Sequence, residues 1–249
     1  MRATAEKSRP SWFWPLGAIV VPFMSLLAKI RFVHPEKLPR EGAYVMVANH
    51  YSEIDPLIVA VGVWRLGRAP RFMAKESLFR VPVLGSALRA TGMVPVARRS
   101  TSASAKETLK ASNDIVEHGR GVIVYPEGTL TRDPDLWPMR GKTGAVRLAL
   151  EAGLPVIPAV QWGAQEIMPR YGKLRLFPWR KPVTMAFGDP IDLSAYAGRE
   201  HSQAALTEAT ALVMNRLADM LGELRGEQPP AERWNPAQHD QKETGRYDA

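Results

Sequence analysis

Ala43-Tyr44-Val45-Met46-Val47-Ala48 runs straight into Asn49-His50-Tyr51-Ser52-Glu53-Ile54-Asp55-Pro56, and an apolar stretch from Leu57 to Leu66 follows. Six apolar residues ending at a polar step read as a buried strand. Asp55 is a good N-cap and Pro56 suits the first helical position, so a helix opens there. Strand, short polar loop and helix form the repeating unit of an α/β fold. The alternation continues along the chain. Strands are predicted at 71–74, 93–96, Gly121–Tyr125, Val156–Val160 and Val183–Phe187. Helices are predicted over Pro82–Arg89, from the capping box Ser104–Glu107 to Gly119, over Lys142–Ala152 and over Gln203–Leu221. The pattern predicts an α/β fold with a largely parallel sheet flanked by helices, and such folds gather their sites at the C-terminal ends of strands.

The loop after the first quoted strand carries the most chemistry. His50 sits just past the strand and Asp55 lies five residues on. A tight loop folds such a carboxylate onto one imidazole nitrogen and leaves the other basic, which is the base-and-orienter half of a catalytic triad. Five His and nine Asp in 249 residues make roughly 0.2 such pairs a chance expectation, so the pair alone also fits a helix cap beside an ordinary loop histidine. The missing nucleophile narrows the chemistry. The chain has no cysteine, and Leu84-Gly85-Ser86-Ala87-Leu88 lacks the second glycine of a nucleophile elbow. A histidine base here would activate a substrate hydroxyl directly.

Four later stretches carry further signals. Gly92-Met93-Val94-Pro95-Val96-Ala97-Arg98-Arg99 ends in two arginines, which alone reads as a solvated strand end. Tyr125-Pro126-Glu127-Gly128-Thr129-Leu130-Thr131-Arg132 joins backbone N–H groups near a glycine to two hydroxyls and a guanidinium, the equipment of a phosphate site. Glu127 by itself reads as a loop salt bridge. Arg140-Gly141-Lys142-Thr143-Gly144 places a cation at a helix start without completing a P-loop. Leu154-Pro155-Val156-Ile157-Pro158-Ala159 reads as a buried strand punctuated by prolines.

Whole-chain properties frame these motifs. The absence of cysteine excludes a disulfide framework, thiolate metal sites and a thiol nucleophile. The net charge is +8. Residues 222–249 hold six acidic and four basic residues, so the remainder carries +10 and suits an anionic partner. Residues 12–28 form one uncharged apolar run of 17, containing Pro15 and Pro22 and flanked by Arg9 and Lys29. As a helix it would span about 25 Å, short of a hydrocarbon core of roughly 30 Å. The expectation is an interfacial element of two short pieces hinged at proline, with Trp12 and Trp14 at headgroup level; a spanning helix, a helix packed on the domain's own core or a signal peptide are the alternatives. The domain reading is therefore a membrane-associating helical segment over 1–37, a globular domain over 38–221, and a polar, poorly ordered tail over 222–249.

Order and spacing together are more specific than any one motif. From about Leu38 to Pro190 the chain resembles the glycerolipid acyltransferase family, typified by the lysophosphatidate acyltransferases. His50 and Asp55, preceded by Asn49, match its His-x4-Asp motif, and Gly92 to Arg98 its second block. Pro126 to Thr129 match its Pro-Glu-Gly-Thr block, and Val156 to Pro158 its Val-x-Pro block. The stretch from Lys75 to Gly85 and the one opening at Lys142 also look like the family. Many members carry arginine where Leu130 stands, and an acidic residue where Ala97 stands.

The resemblance implies His50 as general base and Asp55 as the group that holds it. It implies acceptor binding by Glu127, Gly128 and Thr129, with Arg98 supplying charge for the acceptor phosphate; Arg132, Lys75 and Lys142 are further substrate-binding candidates. The implied reaction moves a fatty acyl group from acyl-CoA or acyl carrier protein to the hydroxyl of a lysophospholipid, foremost lysophosphatidate, in phospholipid biosynthesis. No metal and no cofactor beyond the acyl donor is expected, and no nucleic acid. The expected location is the cytoplasmic face of the cell membrane, as a monotopic or peripheral protein. Another lipid acceptor such as a glycolipid, or a non-catalytic basic membrane-binding protein, are the rival readings.

Overall fold

The computed structural model describes residues 11–96, 113–242 and residue 245. Strands β1 (Ala28–Val33), β2 (Tyr44–Ala48), β5 (Gly121–Val124), β6 (Val156–Trp162) and β7 (Lys181–Phe187) form one sheet in the order β1-β7-β6-β2-β5. Three of its four pairings are parallel, and β6 with β7 is antiparallel. Strands β3 (Met73–Lys75) and β4 (Val94–Val96) make a parallel ribbon. A bridge from Phe72 to Ile123 ties that ribbon to the free edge of β5. The largely parallel α/β architecture expected from the sequence is the one observed.

Pleating sorts the central strands to two faces. Val45 and Val47 of β2, with Val122 and Val124 of β5, pack against helices α4 (Gly144–Ala152) and α6 (Gln203–Arg225). Tyr44 and Met46 point the other way, onto Val59 and Val63 of helix α2 (Asp55–Arg65). All five residues of β2 are buried, which explains its unbroken apolar reading. Short helices α3 (Leu84–Ala90) and α5 (Ala164–Ile167) complete the labelled helices. Helix α6 starts where Ser202 Oγ accepts the Ala205 N–H, and ends at Gly226 in the left-handed region. The capping box at Ser104 lies outside the described residues, and residues 113–117 are helical.

The N-terminal run departs from its expected form. It is a single helix, α1 (Phe13–Leu27), that continues through Pro22 rather than two pieces hinged there. Packing holds it straight enough to persist: Phe13 and Gly17 lie against Trp64 of α2, and Met24 and Leu27 are fully buried. Among the described residues no helix is long and apolar enough to cross a membrane. The chain then enters the sheet earlier than a boundary at 37 implies, because β1 pairs with β7 along six residues. Beyond α6, the Trp234 carbonyl accepts the Arg140 N–H, and the Trp234 and His239 rings stack at 3.6 Å.

Candidate active site

The C-terminal ends of β2, β5 and β6 lie side by side, and the polar loops that leave them converge. Asn49, one residue past β2, is buried and pairs through its amide with the backbone of Gln161 in β6, at 2.9 and 3.0 Å. That clasp fixes the start of the loop bearing His50. Asp55 begins α2 but does not cap it; Ile54 occupies the cap position and makes no side-chain cap bond. The carboxylate turns back into the loop instead. Its Oδ2 accepts the N–H groups of Tyr51 at 2.7 Å and Ser52 at 2.8 Å and lies 3.1 Å from His50 Nδ1. Its Oδ1 accepts Gln161 Nε2 at 2.6 Å. Four donors around a fully buried carboxylate hold it in one orientation.

This arrangement sets the histidine. With Nδ1–H given to Asp55, Nε2 carries the lone pair. The ring stacks on Tyr125, centroids 4.2 Å apart, and its side chain is 16% exposed. His50 lines a cavity of about 400 Å³ together with Glu53, Thr129, Leu130 and Tyr171. The site therefore sets one basic nitrogen, oriented by a buried carboxylate, beside an open cavity.

Glu127 forms no salt bridge among the described contacts; it is a backbone clamp. One carboxylate oxygen accepts the His50 N–H at 3.2 Å and the other the Met139 N–H at 3.1 Å. Burial pushes its carboxyl up to about 8, against the lowering pull of the Met139 and His50 N–H groups. Gly128 adopts φ +68°, and a Cβ there would meet the Lys142 side chain at 3.2 Å, so the turn needs glycine. The Thr131 N–H donates to the His50 carbonyl at 2.6 Å, which stitches the two loops together.

The remaining candidates are placed unevenly. Arg132 is buried, and its Nη2 reaches the Gly245 carbonyl at 3.1 Å; Thr129 Oγ1 reaches the same oxygen at 3.5 Å. Lys142 lies across the glycine turn and lines a second cavity of about 400 Å³ with Glu127, Arg140 and Arg233. Lys75 is exposed at the end of β3, on the same edge of the fold as the loops above. Arg98 lies outside the described residues. Among the described residues no three His, Asp or Glu side chains gather as a metal site.

Two participants escaped the motif reading. Gln161 donates to Asp55, accepts the Tyr51 hydroxyl at 2.8 Å and takes part in the Asn49 clasp. Tyr51 OH in turn accepts the Ala164 N–H at 3.2 Å. The signal for Gln161 was its polarity: one amide in the otherwise apolar Val156–Trp162, where a buried polar side chain needs partners.

Residues 29–162 match the acyltransferase family. A chloroplastic 1-acyl-sn-glycerol-3-phosphate acyltransferase of Brassica napus is 35% identical over 166 residues, covering 64% of this chain and 45% of that one. A Bacillus subtilis protein of the same name is 29% identical over 203 residues, covering 81% of this chain and 94% of its own. The crystal structure of the 1-acyl-sn-glycerophosphate acyltransferase PlsC from Thermotoga maritima shares the fold. Its TM-score is 0.55 at 24% identity, over 84% of this chain and 74% of that one. The chain spans about half the length or less of the curated relatives first matched. The matched segment contains the His50–Asp55 loop, the Glu127 clamp and the Gln161 strand, more than half of the sequence, and the chain thereby belongs to the acyltransferase family.

Proposed function

We propose that the protein is a membrane-associated 1-acylglycerol-3-phosphate O-acyltransferase that moves a fatty acyl group from acyl-CoA or acyl carrier protein to the free hydroxyl of lysophosphatidate. The observation that carries this reading is the His50–Asp55 couple, with Nε2 as the basic nitrogen and His50 lining a cavity that no cysteine can serve. Nε2 takes the proton of the acceptor hydroxyl as its oxygen attacks the thioester carbonyl. Asp55 stabilises the imidazolium that forms. The tetrahedral intermediate collapses with cleavage of the C–S bond, and the departing thiolate takes the proton back from Nε2. The products are phosphatidate and a free thiol, with no acyl-enzyme and no cofactor.

Arg132 and Thr129 converge on one oxygen, the Gly245 carbonyl, within 3.5 Å. We assign that position to an oxygen of the acceptor phosphate, which displaces the tail carbonyl on binding. Contact with the membrane falls to α1. Trp12, Leu16, Ile19, Phe23 and Leu26 recur at helical spacing and are all exposed, Ile19 by 73%. Lys29 and Arg31 follow as exposed cations. That face suits the cytoplasmic leaflet, where a soluble donor meets a lipid acceptor.

The test is acceptor discrimination. Arg132→Gln should raise the KM for lysophosphatidate by roughly tenfold or more, the worth of one charge-assisted hydrogen bond. The KM for an uncharged monoacylglycerol should change little, and the melting temperature is measured alongside. Equal effects on both acceptors would show that Arg132 does not read the phosphate.

A further inference from the structure

The loop from Gly172 to Arg180 exposes four large apolar side chains: Leu174, Leu176, Phe177 and Trp179. Phe177 is 70% exposed, yet the loop around it is firmly built. The buried Lys181 ammonium donates to the carbonyls of Arg175 at 2.7 Å and Pro178 at 2.9 Å. The Arg175 N–H donates to the Ile167 carbonyl at 2.7 Å. The Phe177 and Trp179 rings meet at 4.6 Å. A loop anchored this way does not expose aromatic surface by fraying. Large apolar side chains kept in water by a fixed backbone mark an interaction surface.

Its surroundings say what it meets. Lys173, Arg175 and Arg180 are interleaved with the apolar residues, and no acidic residue occurs from Gly172 to Phe187. The Arg180 N–H donates to the Leu26 carbonyl at 2.9 Å, so one end of the loop is fastened to the end of α1. The other end begins at Tyr171, which lines the His50 cavity and donates its N–H to the Glu53 carboxylate at 3.0 Å. The loop thus runs from the mouth of the site to the helix with the exposed apolar stripe.

We propose that residues 172–180 form a second membrane-docking element that inserts Phe177 and Trp179 into an anionic bilayer beside α1 and sets the mouth of the His50 cavity at the lipid surface. The inference rests on the membrane contact assigned to α1 above. Aromatic side chains suit the headgroup boundary, and each basic residue near an anionic surface strengthens attachment. Two contacts separated along the surface fix an orientation that one helix, free to roll, does not. An acceptor can then enter past Tyr171 without leaving its leaflet.

The chain's lack of cysteine makes the test site-specific. Ile19→Cys, Phe177→Cys and Leu212→Cys each carry a polarity-sensitive fluorophore; Leu212 is an exposed control on α6, across the sheet from α1. Each is titrated with phosphatidylcholine vesicles with and without phosphatidylglycerol, after its melting temperature is shown to match wild type. Positions 19 and 177 should brighten severalfold with anionic vesicles, and position 212 should not. Replacing Lys173, Arg175 and Arg180 by Gln should weaken anionic partitioning by roughly fivefold per charge. A response at 19 with none at 177 overturns the loop's role while α1 keeps its own. Silence at both overturns the membrane reading and this proposal with it. A response at 177 that grows with protein concentration in the absence of vesicles shows a second copy covering the loop and overturns the proposal. Unchanged partitioning of the triple variant contradicts the anionic preference.

Discussion

Asp55 answers to four donors, and only one of them is the histidine it orients. The partner with the most leverage is Gln161, which grips Asp55 Oδ1 from a neighbouring strand. Gln161→Leu should lower kcat by roughly ten- to a hundredfold, with the donor KM little changed. Steady-state kinetics beside thermal melts check this; a rate that falls only as far as the folded fraction falls would reduce Gln161 to packing. Glu127 makes a different prediction. Burial raises its carboxyl from 4.5 to about 8, so the folded state holds a proton that the unfolded chain has released. Its stabilising contribution is complete below 4.5 and is lost as pH rises toward 8. The melting temperature should fall over that range in wild type, and Glu127→Gln, which resembles the protonated acid, should flatten the profile. Thermal melts at a series of pH values decide it. His50 and Asp55 were legible because the loop that unites them is five residues long. Gln161 was not, since its partner lies 106 residues away and only strand pairing brings them together. Glu127 was read as a substrate ligand because backbone donors are invisible in sequence.

At the scale of elements, the sequence showed the strands it could punctuate. β2, β5 and β6 are apolar runs bounded by turns, and all emerged with small shifts at their ends. β1 was hidden. Its Ala28–Val33 follows an apolar helix without a breaker, and Lys29 and Arg31 read as a basic flank rather than as one face of an edge strand. Asp55 shows the converse: a residue of ideal cap chemistry spends its carboxylate on the loop's N–H groups, the imidazole and Gln161 instead. The hinge between β6 and α5 is where element and site meet. Gly163 has φ +113°, and a Cβ there would stand 2.3 Å from the Pro182 carbonyl of β7. Gly163→Ala should destabilise the fold by about 2–3 kcal/mol or more, through strain and a backbone clash. It should also slacken the Tyr51–Ala164 contact. Denaturant titration gives the first effect, and a stability near wild type would contradict the tight packing of β6 on β7.

Across the whole molecule, the C-terminal ends of the central strands gather the base, its orienter and the glycine turn, and α1 carries an exposed apolar stripe. The +10 carried outside the C-terminal residues was plain from composition, but which face bears it depends on topology, and topology joins α1 to a loop 154 residues away, from Leu26 to Arg180. In the proposed reaction His50, held by Asp55, takes the proton of a lysophospholipid hydroxyl as that oxygen accepts the acyl group from a thioester. Thiol release from acyl-CoA in the presence of lysophosphatidate tests it most directly, comparing wild type with His50→Ala of equal melting temperature. Wild type should release thiol in an acceptor-dependent way, and the variant should lose at least about 10²-fold, the scale of a lost general base. Release within threefold of wild type by folded His50→Ala would contradict it.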